Sequence, residues 1–145
     1  MNSGAAPAFF IAGTIPLILA GGLHAVLALI DTVRPTYFTP IDDSVRTVVE
    51  GTGIRLVGKP TPSMWRVWLG IHISHGLGVF TFGLLCLLIA AHDFTLVESI
   101  DAIRPLTIAF SATYLVLALR FWFWGPVLIT GSAALCFTIA TVLSA

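Results

Sequence analysis

The chain has 145 residues, of which 57% are apolar and only 10% charged, where a soluble domain carries about 25% charged residues. Its mean hydropathy of +1.00 points to lipid rather than water as the solvent. Seven basic residues balance seven acidic ones, so neither a basic nucleic-acid surface nor an acidic tail is indicated.

A hydrocarbon core is crossed by about 20 apolar residues in a helix. The first such run is Ala8–Ile30, interrupted only by Gly13, Pro16, Gly21, Gly22 and His24. Met1 to Phe10 holds no Lys or Arg, so this run reads as a retained span rather than a signal peptide. The stretch 31–64 is too long for a simple connection. Within it Asp42-Asp43-Ser44 can cap a short helix with Val45, Val48 and Val49 on its apolar face. Gly51 and Gly53 end that helix, and Ile54-Arg55-Leu56-Val57 alternates like a short strand. Such a segment suits either an interfacial helix on the bilayer or a lid over a site.

The remaining spans are 65–91, 105–121 and 126–143, the last two opened by Pro105 and Pro126. Trp122, Phe123 and Trp124 lie between spans three and four, as expected of headgroup-layer aromatics. The fold class is therefore an all-α integral membrane protein, one domain of four transmembrane helices in an up-down bundle. Arg34, Arg46, Arg55 and Lys59 gather in the first loop and Arg120 beside the third, which puts that long loop in the cytoplasm and the termini outside. The expected location is the cell (inner) membrane, multi-pass. Cys86 and Cys136 lie within apolar runs without CxxC spacing and read as inert thiols.

Span two carries the chemistry-bearing pattern. Gly70, Ser74 and Gly78 recur every four residues, a small-xxx-small face for helix packing. Trp65, Trp68, His72, His75, Val79 and Phe82 form a second stripe more than about 100° away. Two histidines three apart project to one side, and ionisable groups inside a span are costly and tend to be functional. At about 1.5 Å per residue, His24, His72, His75 and Tyr114 fall in one layer some 9 to 15 Å below the first-loop side. Small and polar residues mark inward faces: Gly13, Leu17, Ala20, His24, Ala28 and Asp31 in span one; Thr107, Ser111, Tyr114 and Ala118 in span three; Gly131, Ala134, Thr138 and Thr141 in span four. Arg66, Arg120 and Asp31 sit at span ends, where snorkelling or surface ion pairing is the default. Asp31 can also orient His24 from two turns away.

The pattern Trp65-x-x-Trp68-x-Gly70-x-His72-x-Ser74-His75-Gly76-x-Gly78, followed by Phe82-Gly83-Leu84, resembles a family of small four-helix bacterial membrane proteins of uncharacterised function. Tyr114-Leu115 through Arg120-Phe121-Trp122-Phe123 is similar to it as well. In that family the place of His72 can hold Asn, so the resemblance favours His75, and it implies architecture without an activity. The Arg-x-x-Arg-x-His-x-Asn-x-x-Glu pattern of the membrane-associated eicosanoid and glutathione family is absent. The intramembrane carboxylates of sterol isomerase-like bundles are absent too.

Three functions fit these residues. The first is a histidine-lined intramembrane pocket for an apolar or lipidic small molecule. Its acid/base candidates are His75, His72, His24 and Tyr114, and Trp65, Trp68 and Ser111 are its binding candidates. The second is a non-catalytic accessory subunit whose Gly70-Ser74-Gly78 face meets a membrane protein partner or a second copy. The third is a haem or metal carrier, ranked last because no ligand set is complete and no metal site is assigned. The cofactor stays unknown, and nucleic acid is not among the expected partners.

Overall fold

The computed structural model describes residues 4–56 and 59–144 of the chain. The element order is α1 (Ala5–Asp31), α2 (Asp43–Gly51), β1 (Gly53–Leu56), β2 (Lys59–Ser63), α3 (Met64–His92), α4 (Phe94–Ser99), α5 (Ile103–Phe121) and α6 (Trp124–Leu143). Helices α1, α3, α5 and α6 are each long and apolar enough to cross a membrane. Their bounds fall within a few residues of the four apolar runs, because apolar length sets both. Apart from one two-stranded antiparallel ribbon, the regular structure of the described residues is helical.

The first connection has the substructure its punctuation predicts. Asp42 is the N-cap of α2, accepting from the Ser44 backbone N–H and hydroxyl at 2.8 and 2.7 Å. Ile54-Arg55-Leu56 lies in β1 as its alternation suggests, while Val57 lies outside the described residues. Its partner β2 is not foreseen, since Pro60 and Pro62 argue against a strand. A two-stranded ribbon leaves each strand an outer edge where the missing N–H is tolerated. The second connection holds the short helix α4, capped by Asp93 through the Thr95 N–H and hydroxyl.

Contacts gather the chain into two compact units, residues Met1–Ala20 with Val79–Ala145, and residues Gly21–Gly78. The first unit is a dry core. Phe10 packs edge-on against Phe94 and Phe137, and Phe82 stacks on Phe110 with ring centroids 3.8 Å apart. Glycines bring its helices close: a Cβ on Gly13 would meet the Phe137 ring at 3.0 Å, and one on Gly83 would meet Ile18 at 3.0 Å. The stripes of α1 and α5 face this packing, with Gly13, Leu17, Thr107, Ser111 and Ala118 buried. The stripe expected on α6 is rotated by one position. Thr130, Ala133, Phe137 and Ala140 form its buried face, while Thr138 is exposed and donates to the Ala134 carbonyl of its own helix at 2.8 Å. A threonine that satisfies itself can face lipid, so its polarity does not mark the inward side.

In the second unit, the closest helix approach is made by Gly76. A Cβ there would lie 2.6 Å from the Ala25 nitrogen and 2.9 Å from the Gly21 carbonyl oxygen. The stripe assigned to helix packing, Gly70-Ser74-Gly78, is left open by the described residues. All three residues are exposed, and nothing lies within 4 Å of a Cβ built on Gly70 or Gly78. The helix is turned so that His72 is buried and His75 half-buried, with His72 meeting His24.

Candidate functional site

The candidate site lies within residues 21–78 and follows from the Gly76 contact. With no side chain between the backbones of α1 and α3, residues one turn away on each helix meet directly. His24 Nε2 and His72 Nδ1 are 3.0 Å apart. An N···N bond of that length needs one ring nitrogen to carry a hydrogen and the other to offer a lone pair, so the two tautomers are coupled. The His75 ring stands edge-on to His24, with centroids 5.1 Å apart. Three of the four residues expected in one layer are thus brought together. His72 is buried, and His24 and His75 are partly so.

Aromatic groups close over the pair. The Phe38 ring stacks on His72, centroid to centroid 4.4 Å, and lies 4.7 Å from His24. Trp68 meets His72 edge-on at 4.3 Å. Its indole N–H donates to the Phe38 carbonyl at 3.0 Å, fixing the turn to α3.

What holds Phe38 there is Asp31. It is not at the surface, with an exposure of 0%, and among the described residues it forms no ion pair. Its carboxylate accepts the backbone N–H groups of Thr36 at 2.8 Å, Tyr37 at 2.9 Å and Phe38 at 2.6 Å, with the Thr39 hydroxyl at 3.5 Å. An acid at a helix C-terminus opposes the dipole by about 0.3–1 kcal/mol. Each hydrogen bond to a charged group contributes about 1.5–3 kcal/mol, so three of them dominate. The hydrogen bonds of Asp31 go to the turn after it. Asp in the last turn, followed by Pro35 and a Thr-Tyr-Phe-Thr run, is the signal from which this turn could have been found.

Beside the cluster is an open cleft of about 420 Å³. Tyr37, Phe38 and Pro40 of the turn line it, with Val49 of α2 and Met64, Trp65 and Trp68 of α3. Both tryptophans singled out from the sequence therefore face it. Phe38 belongs to cleft and histidine cluster alike. The part of the first connection that covers the histidines is this turn rather than α2, which buries no residue.

Tyr114 and Ser111 belong to the other unit. The Tyr114 ring lies against Phe110, centroids 4.7 Å apart. Ser111 is fully buried and donates to the Thr107 carbonyl at 2.7 Å, which gives its hydroxyl a structural duty. Among the described residues no group of three or more His, Cys, Asp or Glu is placed to hold a metal ion. Comparison with family models, curated proteins and solved structures returns no match.

Proposed function

We propose that the chain is a polytopic protein of the cell membrane that binds an apolar or lipidic small molecule in the cleft between the 36–40 turn and α3. Its histidine cluster supplies acid/base chemistry to that ligand. The observation that carries this reading is the 3.0 Å His24–His72 bond covered by Phe38, a residue that also lines an open aromatic cleft. Inside a span a pair of ionisable side chains is expensive, and packing alone is served more cheaply by apolar residues. A coupled imidazole pair can pass a proton from one ring to the other, with His75 as the third member of the relay. The positive charge of the first connection places the cleft on the cytoplasmic side in this reading.

A diazirine-bearing long-chain fatty acid, photoactivated in protein reconstituted in nanodiscs, tests it. Label is expected on residues 37–40 and 64–68 and is competed by unlabelled fatty acid. Label spread over lipid-facing positions such as Leu19 and Leu135 without competition would overturn it. For the chemistry, His75→Ala should fail to complement a chromosomal deletion while being expressed at the normal level.

A second reading, an accessory subunit, draws on the open Gly70-Ser74-Gly78 stripe. In that case Gly78→Ile abolishes co-purification of a partner helix and leaves fatty-acid labelling intact.

A further inference from the structure

Resting on the ligand-binding reading, we infer that Phe38 is a displaceable cap on the His24–His72 pair, set in place by Asp31, and that an apolar ligand reaches the imidazoles by taking the place of its ring.

Four observations meet on this side chain. Its ring covers both imidazoles, at 4.4 and 4.7 Å. The same ring forms part of the cleft wall, so it is the boundary between the space a ligand would fill and the groups it would meet. Its backbone is held at both polar ends, the N–H by Asp31 and the carbonyl by the Trp68 indole. The ring itself is half-buried and meets the two imidazoles through contacts worth about 0.5–1.5 kcal/mol each beyond their area burial. Backbone fixed and ring loosely held is the arrangement of a cap that swings about its side-chain bonds while the turn stays in place. The ligand chemistry follows from what is displaced: a flat or chain-like apolar group that can lie on the His72 ring face.

Asp31 is a positioning residue in this scheme. Its hydrogen bonds go to the amides of residues 36–38 and the Thr39 hydroxyl, and through them it sets the Phe38 ring over the imidazoles. A buried carboxylate with three backbone partners is otherwise hard to explain at the end of a transmembrane helix, where its charge opposes the dipole.

The test needs no natural ligand. Diethylpyrocarbonate acylates accessible imidazole nitrogens, and mass spectrometry reads each site in the full-length protein in nanodiscs. The exposed His92 is the internal reference. In the wild type His24 and His72 should react far more slowly than His92. Phe38→Ala should raise their rates relative to His92 by about ten-fold, the size of one to two lost ring contacts. Phe38→Leu, which keeps most of the volume, should give a smaller rise and serves if the alanine variant does not fold. Asp31→Asn should raise the same rates by a smaller factor. The double variant should match Phe38→Ala alone, since one residue acts through the other.

Unchanged rates in both Phe38 variants would overturn the cap. Additive effects in the double variant would remove Asp31 from it. Saturation with the diazirine fatty acid should restore protection in Phe38→Ala. If the cap variants respond as expected but the fatty acid neither labels the cleft nor restores protection, the ligand reading fails while the shielding of the histidines stands. If the fatty acid labels the cleft and Phe38→Ala exposes nothing, only the cap fails.

Discussion

In α5 and α6 the hydroxyls of Ser111, Thr130, Thr138 and Thr141 each donate to a carbonyl four residues back in their own helix. In residues 21–78 Thr32, Thr47 and Ser74 are satisfied locally too, but the polar groups around the histidines reach further. His24 bonds His72 over 48 positions, Trp68 bonds Phe38 over 30, and Asp31 gathers three amides of the following turn. The two regions obey one constraint, that polar groups in hydrocarbon must be satisfied inside the protein. They obey it in opposite ways. Local satisfaction makes a threonine almost as indifferent to its surroundings as a valine, and such helices are free to be a packed scaffold. Long-range satisfaction ties the polarity to one tertiary arrangement, and this is what a site requires.

The contrast breaks first where packing is largest. Phe137 is fully buried between Phe10 and the Gly13 surface. Phe137→Ala should destabilise the protein by about 3–5 kcal/mol, read from unfolding in mixed micelles. Below its unfolding midpoint, fatty-acid labelling of the 36–40 turn should persist. A labelling yield that falls in step with stability would show that the scaffold and the site are not separable.

Gly76 is next. Its missing Cβ would sit 2.6 Å from backbone, which cannot rotate away. Gly76→Ala should cost about 1–3 kcal/mol, the range for overpacking. It should also open the His24–His72 bond, visible in imidazole nitrogen resonances. Gly70→Ala and Gly78→Ala, whose Cβ would meet nothing within 4 Å, should leave stability unchanged or raise it by up to about 1 kcal/mol, the helix-propensity gain. Equal effects at Gly70 and Gly76 would sink the assignment of Gly76 as the contact that builds the site.

These glycines also mark how far the sequence can be read. The four spans were legible because apolar length alone sets them. The α2 cap was legible because Asp42 and Ser44 act within two residues. The shared depth of His24, His72 and His75 followed from helical rise. The choice of Gly76 over Gly70, Ser74 and Gly78 was not legible, since both sets have helical spacing and only the docked helices decide which face is used. Likewise Asp31 at a span end reads as an interfacial charge. Its true partners are the amides of residues 36–38, for which Pro35 and the run after it were the one cue. The α6 stripe was misplaced because Thr138 and Thr141 resemble inward polar groups yet are satisfied at home.

The smallest effect separates the two short helices, one in each region. Asp42 caps α2 and Asp93 caps α4, and in each the partner hydroxyl, then its backbone N–H, holds the carboxylate below its ordinary range. A depressed folded-state value means that the cap stabilises above the unfolded carboxylate pKa of 3.8 and is lost as pH falls through the lower folded value. Both helices therefore lose a cap in acid, but they should not respond alike. α4 buries Val97 completely, whereas α2 buries nothing. Helical chemical shifts of residues 45–49 should consequently fade below about pH 4 while those of 94–99 persist. Asp42→Asn, which caps without titrating, should hold α2 through the same range. If α2 keeps its shifts in acid without that substitution, something other than its cap holds it. Docking of its Val45 and Val48 face, exposed in the protein alone, onto the bilayer surface would then supply the missing stability.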